Sequence, residues 1–326
     1  GAAAPLAVSC GDPAGIGGEI LAKAWAAGGL PPFALIGDAD WAAGFGPVAR
    51  IARLSEAASA QRRGLPVLHA PLAAPSRPGA PDPANAPATI ASIETAVCLA
   101  MSGEAGGVVT LPINKKALYD GAGFAFPGHT EFLAALTGAA RPVMMLAGPS
   151  LRVVPVTIHM ALAQAAAALS AAAIEETARI AAEGLRARFG IARPRLAVAG
   201  LNPHAGEGGA LGREEIEIIA PAVARLRAEG LDVRGPLPAD AMFHAAARAR
   251  YDVAIGMYHD QALIPLKALD FDRGVNVTLG LPIVRTSPDH GTAYDIAGQG
   301  RADPTSLIEA LRMAAAMAAG APAAAA

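Results

Sequence analysis

Cysteine is almost missing from this chain, with only Cys10 and Cys98 among 326 residues. Two cysteines cannot build a disulfide framework or a cysteine-type zinc site, and their apolar neighbours mark both as small core residues. Strong charge of one sign is missing as well: the net charge is −2 and charged residues make up 17%. Without a broad basic field, nucleic acid is excluded as the expected partner. No apolar run is long enough for a membrane span, and the longest alanine-rich stretch, Ala161 to Ala173, is broken by Gln164 and Ser170. The opening residues carry no basic segment ahead of an apolar one, so no secretory signal is read and a cytoplasmic location is expected. Lysine is rare, at Lys23, Lys115, Lys116 and Lys267, while arginine is common. A surviving lysine then marks a place for a compact point charge.

Familiar nucleotide and nucleophile motifs are missing too. Gly15-Ile16-Gly17 would need glycine at position 20 to complete a dinucleotide fingerprint, and Ile20 stands there. The same loop lacks the Gly-Lys-Ser/Thr of a P-loop, so a tight βα turn is its local reading. No Gly-x-Ser-x-Gly elbow supports a serine hydrolase.

What is present is a large apolar fraction, 53%, in a chain long enough for two α/β domains. Strands are predicted at Leu6–Ser9, Phe33–Ile36, Gly107–Leu111, Arg152–Ile158, Arg195–Ala199, Asp232–Gly235, Asp252–Met257 and Gly274–Leu279. Helical periods fall at Gly18–Ala27, Pro87–Met101, Ile174–Arg188, Glu214–Ala228, Met242–Arg250 and Thr305–Ala318. This alternation predicts an α/β fold with a largely parallel sheet. Ser170 is placed to cap the helix leading into Ile174, and Gly190 to end it. A surface loop is expected over Ala70–Ala86, and the terminal Ala-Pro-Ala run is expected to fray.

Three histidines follow apolar strand candidates. His159 comes after Val153–Ile158, His204 after Leu196–Gly200 and a short Leu201-Asn202-Pro203 turn, and His259 after Val253–Tyr258. In a parallel sheet all carboxyl strand ends lie on one side, where ligands bind, so three imidazoles can converge on one ion. Three ligands leave positions open for a substrate, and imidazole favours zinc or another late first-row metal over magnesium. The alternative is three separately hydrogen-bonded loop histidines. The segment Pro127–Leu133 reads as a helix start with Thr130 as its N-cap and His129 as a further donor beside a natural anion site. Lys267, Asn276 and Arg285 supply cationic and amide donors suited to phosphate or carboxylate, with scattered surface charges as the bland alternative.

Taken in order, these segments resemble the 4-hydroxythreonine-4-phosphate dehydrogenase family of vitamin B6 biosynthesis. The resemblance rests on GDPAGIG at Gly11–Gly17, PINKKAL at Pro112–Leu118, PGHTEFL at Pro127–Leu133 and LNPHAGE at Leu201–Glu207. It continues through GPLPAD at Gly235–Asp240, YHDQALIPLK at Tyr258–Lys267, RGVNVTLGLPIVRTSPDHGTA at Arg273–Ala293 and Asp303-Pro304. It implies two α/β/α domains, about 1–135 plus 285–326 and 136–284, of the isocitrate/isopropylmalate dehydrogenase-like kind, with the active site in the cleft between them. It implies a homodimer sharing the metal site, with ligands His159, His204 and His259 and substrate contacts His129, Thr130, Lys267, Asn276 and Arg285.

The implied reaction is oxidation of 4-phosphooxy-L-threonine at C3 by NAD or NADP, followed by loss of carbon dioxide to give 3-amino-2-oxopropyl phosphate. The divalent metal, zinc ahead of cobalt or magnesium, acts as a Lewis acid, and the cofactor carries the hydride. No cofactor-binding residue is assigned; Asp260 and Asp240 are the candidate proton acceptors. Two positions depart from the family pattern: Gly18 stands where proline is usual, and Leu111 where glycine is usual, which could narrow a backbone approach near Pro112. The rivals are a dehydrogenase of a phosphorylated sugar acid such as threonate or erythronate phosphate, a metal-dependent hydrolase or lyase without nicotinamide, and a metabolite-binding protein without turnover.

Overall fold

Short aliphatic runs punctuated by glycine, aspartate and proline become strands, because each is apolar enough to be buried on both faces of a parallel sheet. In the computed structural model, which describes residues 3–320, strands β1 (Leu6–Ser9), β2 (Phe33–Gly37), β3 (Val48–Ile51), β4 (Leu65–His69), β5 (Val108–Thr110) and β6 (Val143–Ala147) come first. They are followed by β7 (Arg152–Pro155), β8 (Arg195–Ala199), β9 (Asp232–Leu237), β10 (Val253–Gly256), β11 (Val275–Leu279) and β12 (Arg285–Pro288). The described residues form two compact units, one running to Pro142 and resuming over Leu281–Ala319, the other Val143–Gly280.

In the first unit the strand order is β3-β4-β2-β1-β5-β12, with every neighbouring pair parallel. The order reverses at β1, and ligands in such sheets bind outside the carboxyl ends at that point. There the loop after β1 meets the loop after β5: the Asp12 amide donates to the Pro112 carbonyl at 2.8 Å. Gly11 makes the approach possible, at φ +63° and with Pro112 O only 2.5 Å from where a Cβ would sit. Ala7, Ala34, Ile36, Ile93, Val108 and Leu133 belong to the core of this unit.

In the second unit the order is β11-β6-β7-β10-β8-β9. Strands β7, β10, β8 and β9 are mutually parallel, and β6 runs antiparallel between β7 and β11. The carboxyl ends of β7, β10 and β8 therefore lie side by side. Leu146, Val153, Ala197, Ala254 and Leu266 fill the core beneath them. Ser170 Oγ accepts from the Ala173 amide at 3.1 Å to start the helix Ala171–Phe189, and Gly190 ends it at φ +66°, as the sequence signals require.

The expected α/β class with largely parallel sheets holds in both units. Boundaries shift where side chains intervene. The strand expected through Ile158 ends at Pro155, and the helix expected over Met242–Arg250 shortens to Ala245–Arg248, where His244 Nδ1 caps it by accepting from Ala247. The helix expected from Glu214 opens as a π-turn, Glu215–Ile219, before regular geometry at Ala220–Ala228. Sequence reasoning missed β3, β4, β6 and β12 and the helices Lys115–Ala122 and His259–Asp270. The expected loop over Ala70–Ala86 is present, with a short 3₁₀ turn at Pro83–Asn85. Of the two cysteines expected in the core, Cys10 is buried but Cys98 is exposed on the helix Ala86–Met101, and the terminal Ala-Pro-Ala run lies outside the described residues.

Candidate active site

Past Pro155 the chain leaves the strand but stays hydrogen-bonded to β10. The Val156 amide donates to the Gly256 carbonyl at 2.8 Å, and the buried Thr157 hydroxyl donates to the Met257 carbonyl at 2.7 Å. These two bonds carry His159 to the side of His259, with ring centroids 6.1 Å apart and planes 43° from parallel. His259 opens the helix His259–Asp270, and its Nδ1 lies 2.7 Å from Asp260 Oδ1. An ionised carboxylate there takes the Nδ1 proton as its hydrogen bond, which leaves the Nε2 lone pair free to bind a metal. The pair opens onto a pocket of about 270 Å³ with Ile158, Met160, Leu162, Ala165 and Tyr258 as its other main walls. Met160 and Leu162 stay 42% and 64% exposed, an apolar rim around two imidazoles.

His204 behaves differently. It sits in the turn Pro203–Gly209, where His204, Ala205, Gly206, Glu207 and Gly208 all adopt left-handed backbone angles, φ +45° to +81°. Each of the three residues with a Cβ costs about 1–2 kcal/mol in that region. The turn leaves the His204 side chain 67% exposed, 3.8 Å from Glu207 and outside the walls of the pocket. Among the described residues no group of three or more His, Cys, Asp or Glu could hold a metal. Within one chain His159 lies beside His259, and His204 is not among the walls of their pocket.

The anion-binding candidates fall into two sets. In the first unit the helix His129–Thr137 begins two residues earlier than expected, with Gly128 at the N-cap and no side-chain cap. Thr130 is thus inside the first turn rather than capping it, because the Phe132 amide already bonds back to the Gly128 carbonyl. The amides of this first turn face outward for an anion. His129 Nε2 is buried with no hydrogen-bond partner among the described residues. Burial, helped by the charge of Arg285, holds the His129 imidazole well below its ordinary range, so the ring is neutral at pH 7. Arg285, 2% exposed, donates from Nη2 to Thr110 Oγ at 2.8 Å. Burial pushes its guanidinium down to about 10, with Glu131 working the other way, so it keeps its charge at neutral pH.

In the second unit Lys267 is half-buried on the helix His259–Asp270, and Asn276 lies on β11. Asn276 Oδ1 is buried without a partner among the described residues, a condition that costs about 1–3 kcal/mol until a donor arrives. Of the two candidate proton acceptors, Asp260 already holds His259, and Asp240 is exposed in the turn after β9.

Sequence reasoning missed the residues that aim these groups. Thr157 and Thr110 are single hydroxyls with no motif to mark them. Gln261 joins two strand ends, accepting from the Met257 amide at 2.7 Å and donating to the Gly200 carbonyl at 2.8 Å. Asn202 and Glu215 hold the base of the left-handed turn; the Asn202-Pro203 dipeptide was the available signal. The two departures have local causes. A Cβ at Gly18 would lie 2.5 Å from Phe45 and 2.8 Å from Trp41, so two aromatic rings fill the space beside it. Leu111 is fully buried against Gly17 and leaves the Asp12 to Pro112 bond intact.

Comparison with known proteins places this arrangement. Residues 35–314 match the family described as pyridoxal phosphate biosynthetic protein PdxA. The chain belongs to this family. It is 59% identical to the 4-hydroxythreonine-4-phosphate dehydrogenase of Caulobacter vibrioides, over 97% of this chain and 98% of that protein. Among solved structures, the 4-hydroxythreonine-4-phosphate dehydrogenase of Klebsiella pneumoniae is 41% identical, with a TM-score of 0.89, over 97% and 98% of the two chains. A beta-decarboxylating dehydrogenase from Thermococcus kodakarensis shares the fold at 15% identity and a TM-score of 0.50, over 95% of this chain and 82% of that one. As a PdxA-family member, this chain is an oxidoreductase of pyridoxal phosphate biosynthesis. No helix of the described residues is long and apolar enough to cross a membrane.

Proposed function

We propose that this PdxA-family chain is a cytoplasmic dehydrogenase that oxidises 4-phosphooxy-L-threonine at its C3 hydroxyl with NAD or NADP. The 2-amino-3-oxo acid so formed loses carbon dioxide to give 3-amino-2-oxopropyl phosphate. The observation that carries the reading is the His159–His259 pair, its Nδ1–Asp260 bond leaving Nε2 free, in a chain of this family. Two imidazoles with open space beside them fit a divalent metal, zinc by the donor type. His159 and His259 would hold it together with His204 from a second copy of this chain, which accounts for a histidine held outward on a strained turn. The apolar rim of Met160 and Leu162 suits such a contact.

When bound, the metal supplies Lewis acidity and the nicotinamide a hydride acceptor. The residues of the chain bind and orient. The amides at the start of the helix His129–Thr137, the Thr130 hydroxyl and charged Arg285 receive the anionic groups of the substrate. Neutral His129 offers a hydrogen bond at Nε2 without adding charge, and the orphaned Asn276 Oδ1 accepts from a substrate donor. Lys267 adds a point charge for phosphate or carboxylate.

The test is reduced-cofactor formation from 4-phosphooxy-L-threonine, with and without a chelator. Chelator-sensitive production of NADH or NADPH is expected. Stronger turnover of threonate or erythronate phosphate would move the assignment to a sugar-acid dehydrogenase, and turnover unaffected by complete metal removal would end the metal proposal.

A further inference from the structure

The left-handed turn that carries His204 is strained, and its base is anchored by a residue outside it. Three of its residues bear a Cβ in a region that L-residues avoid, and beyond its own 3₁₀ bonds the turn is tied to its flanks by Ala205 N to Asn202 O, Ala210 N to Glu207 O and Leu211 N to Gly206 O. Its base rests on Glu215, a carboxylate only 3% exposed. Glu215 Oε1 accepts from the Asn202 side-chain amide at 2.8 Å and its backbone amide at 3.3 Å, while Oε2 accepts from the side chain at 3.2 Å. Gly206 packs against the same carboxylate: a Cβ there would sit 3.0 Å from Glu215 Oε1.

Two features separate this from ordinary loop packing. Burying a carboxylate on amide donors is an expensive way to fill space. The segment that presents it is the π-turn Glu215–Ile219, a rare geometry that is frequent at functional sites. Glu214 Oε2 also accepts from the Asn202 side chain, at 3.2 Å, although regular helix geometry would turn neighbouring side chains about 100° apart. Local rules are broken on both sides of one contact.

We propose that Glu215 is a positioning residue whose grip on Asn202 fixes the left-handed turn in the shape that presents His204 to the metal site of a second copy of this chain. The inference rests on the reading of His204 as a metal ligand, and its test separates the two. Cobalt(II) and zinc(II) affinities would be measured on the full-length protein for wild type and for His204→Ala, Glu215→Ala, Glu215→Gln and Asn202→Ala. Hydrogen exchange at the Ala205 and Leu211 amides would be followed in parallel. Glu215→Ala is expected to weaken metal binding by about 10- to 100-fold, as loss of a ligand's outer support does, and to speed exchange in the turn. Glu215→Gln keeps an acceptor oxygen and should recover most of the affinity.

If His204→Ala loses metal while Glu215→Ala binds it like wild type, the positioning role is wrong and the ligand reading stands. If His204→Ala itself binds metal like wild type, the ligand reading fails and the proposal falls with it. Should Glu215→Ala not fold, Asn202→Ala removes the two side-chain bonds from the half-exposed side and keeps only the longer bond from the Asn202 backbone amide. Weakened metal binding in that variant supports the proposal, and unchanged binding overturns it.

Discussion

His159 and His204 follow parallel strands of one sheet, β7 and β8, that flank the strand β10 leading to His259, yet the chain treats them in opposite ways. His159 is drawn onto β10 by the Val156 amide and the Thr157 hydroxyl and ends 6.1 Å from His259. His204 is wound outward on a left-handed turn whose base is tied to Glu215. A strand followed by a histidine therefore specifies a sheet edge, and the hydrogen bonds of the next few residues decide whether the imidazole points along that edge or away from it. An inward pair and an outward single are what a site shared between two copies requires, because each copy must both receive and donate.

The largest effect tests that division directly. His259→Ala and His204→Ala alone should each lose metal and about 10³-fold or more in turnover, since Lewis-acid stabilisation is worth several kcal/mol. Mixed after unfolding and refolding together, the two variants should regain roughly a quarter of wild-type activity. Half of the random dimers are mixed, and each mixed dimer has one intact site. No recovery in verified mixed dimers would mean that His204 does not serve the other copy.

Next in size is Arg285→Lys. The guanidinium is buried and bonded to Thr110, and an ammonium cannot reproduce that bond while also meeting an anion in the same plane. A fall in kcat/KM of about 10- to 100-fold is expected, from loss of a charge-assisted hydrogen bond of about 1.5–3 kcal/mol. Kinetics equal to wild type would remove Arg285 from the substrate set.

The contrast between the two histidine loops also marks what the sequence could and could not reveal. Apolar strands such as Leu6–Ser9 and Arg195–Ala199 were legible to the residue, because burial on both faces leaves an unbroken aliphatic run. Strand β12 was not, since Arg285-Thr286-Ser287-Pro288 is polar and still buried throughout. Its Thr286 hydroxyl donates to the Ala310 carbonyl at 2.8 Å, and tertiary hydrogen bonds of that kind leave no periodic signal. The three histidines were found because each follows a strand. Their unequal directions were hidden in Thr157, whose partner Met257 lies 100 residues away, and in Asn202 and Glu215, which bond to each other 13 residues apart.

Thr157→Val probes the inward side with a smaller change. The substitution keeps the shape of the side chain but leaves the Met257 carbonyl without its donor. A destabilisation of about 1–3 kcal/mol is expected, with a several-fold loss of metal affinity as His159 loosens. If denaturation shows the loss of stability but metal titration shows no change, the hydroxyl supports the core without aiming the ring.

The smallest effect concerns a histidine unlike either of these. His129 is held neutral by burial, whereas His259 is partly exposed and faces a carboxylate. Because the folded-state value of His129 lies below the ordinary 6.5, the unfolded chain binds a proton at pH values where the folded chain does not. Its contribution to stability is therefore fully present above the ordinary value and is lost as pH falls from there towards the depressed one. Wild type and His129→Gln, unfolded in urea at one fixed protein concentration, should differ by a constant amount above pH 7. Below pH 6.5 wild type should lose stability faster. Parallel curves down to pH 5 would mean that His129 takes up a proton in the folded state as readily as in the unfolded chain, and the neutral donor assigned to the anion site would be lost.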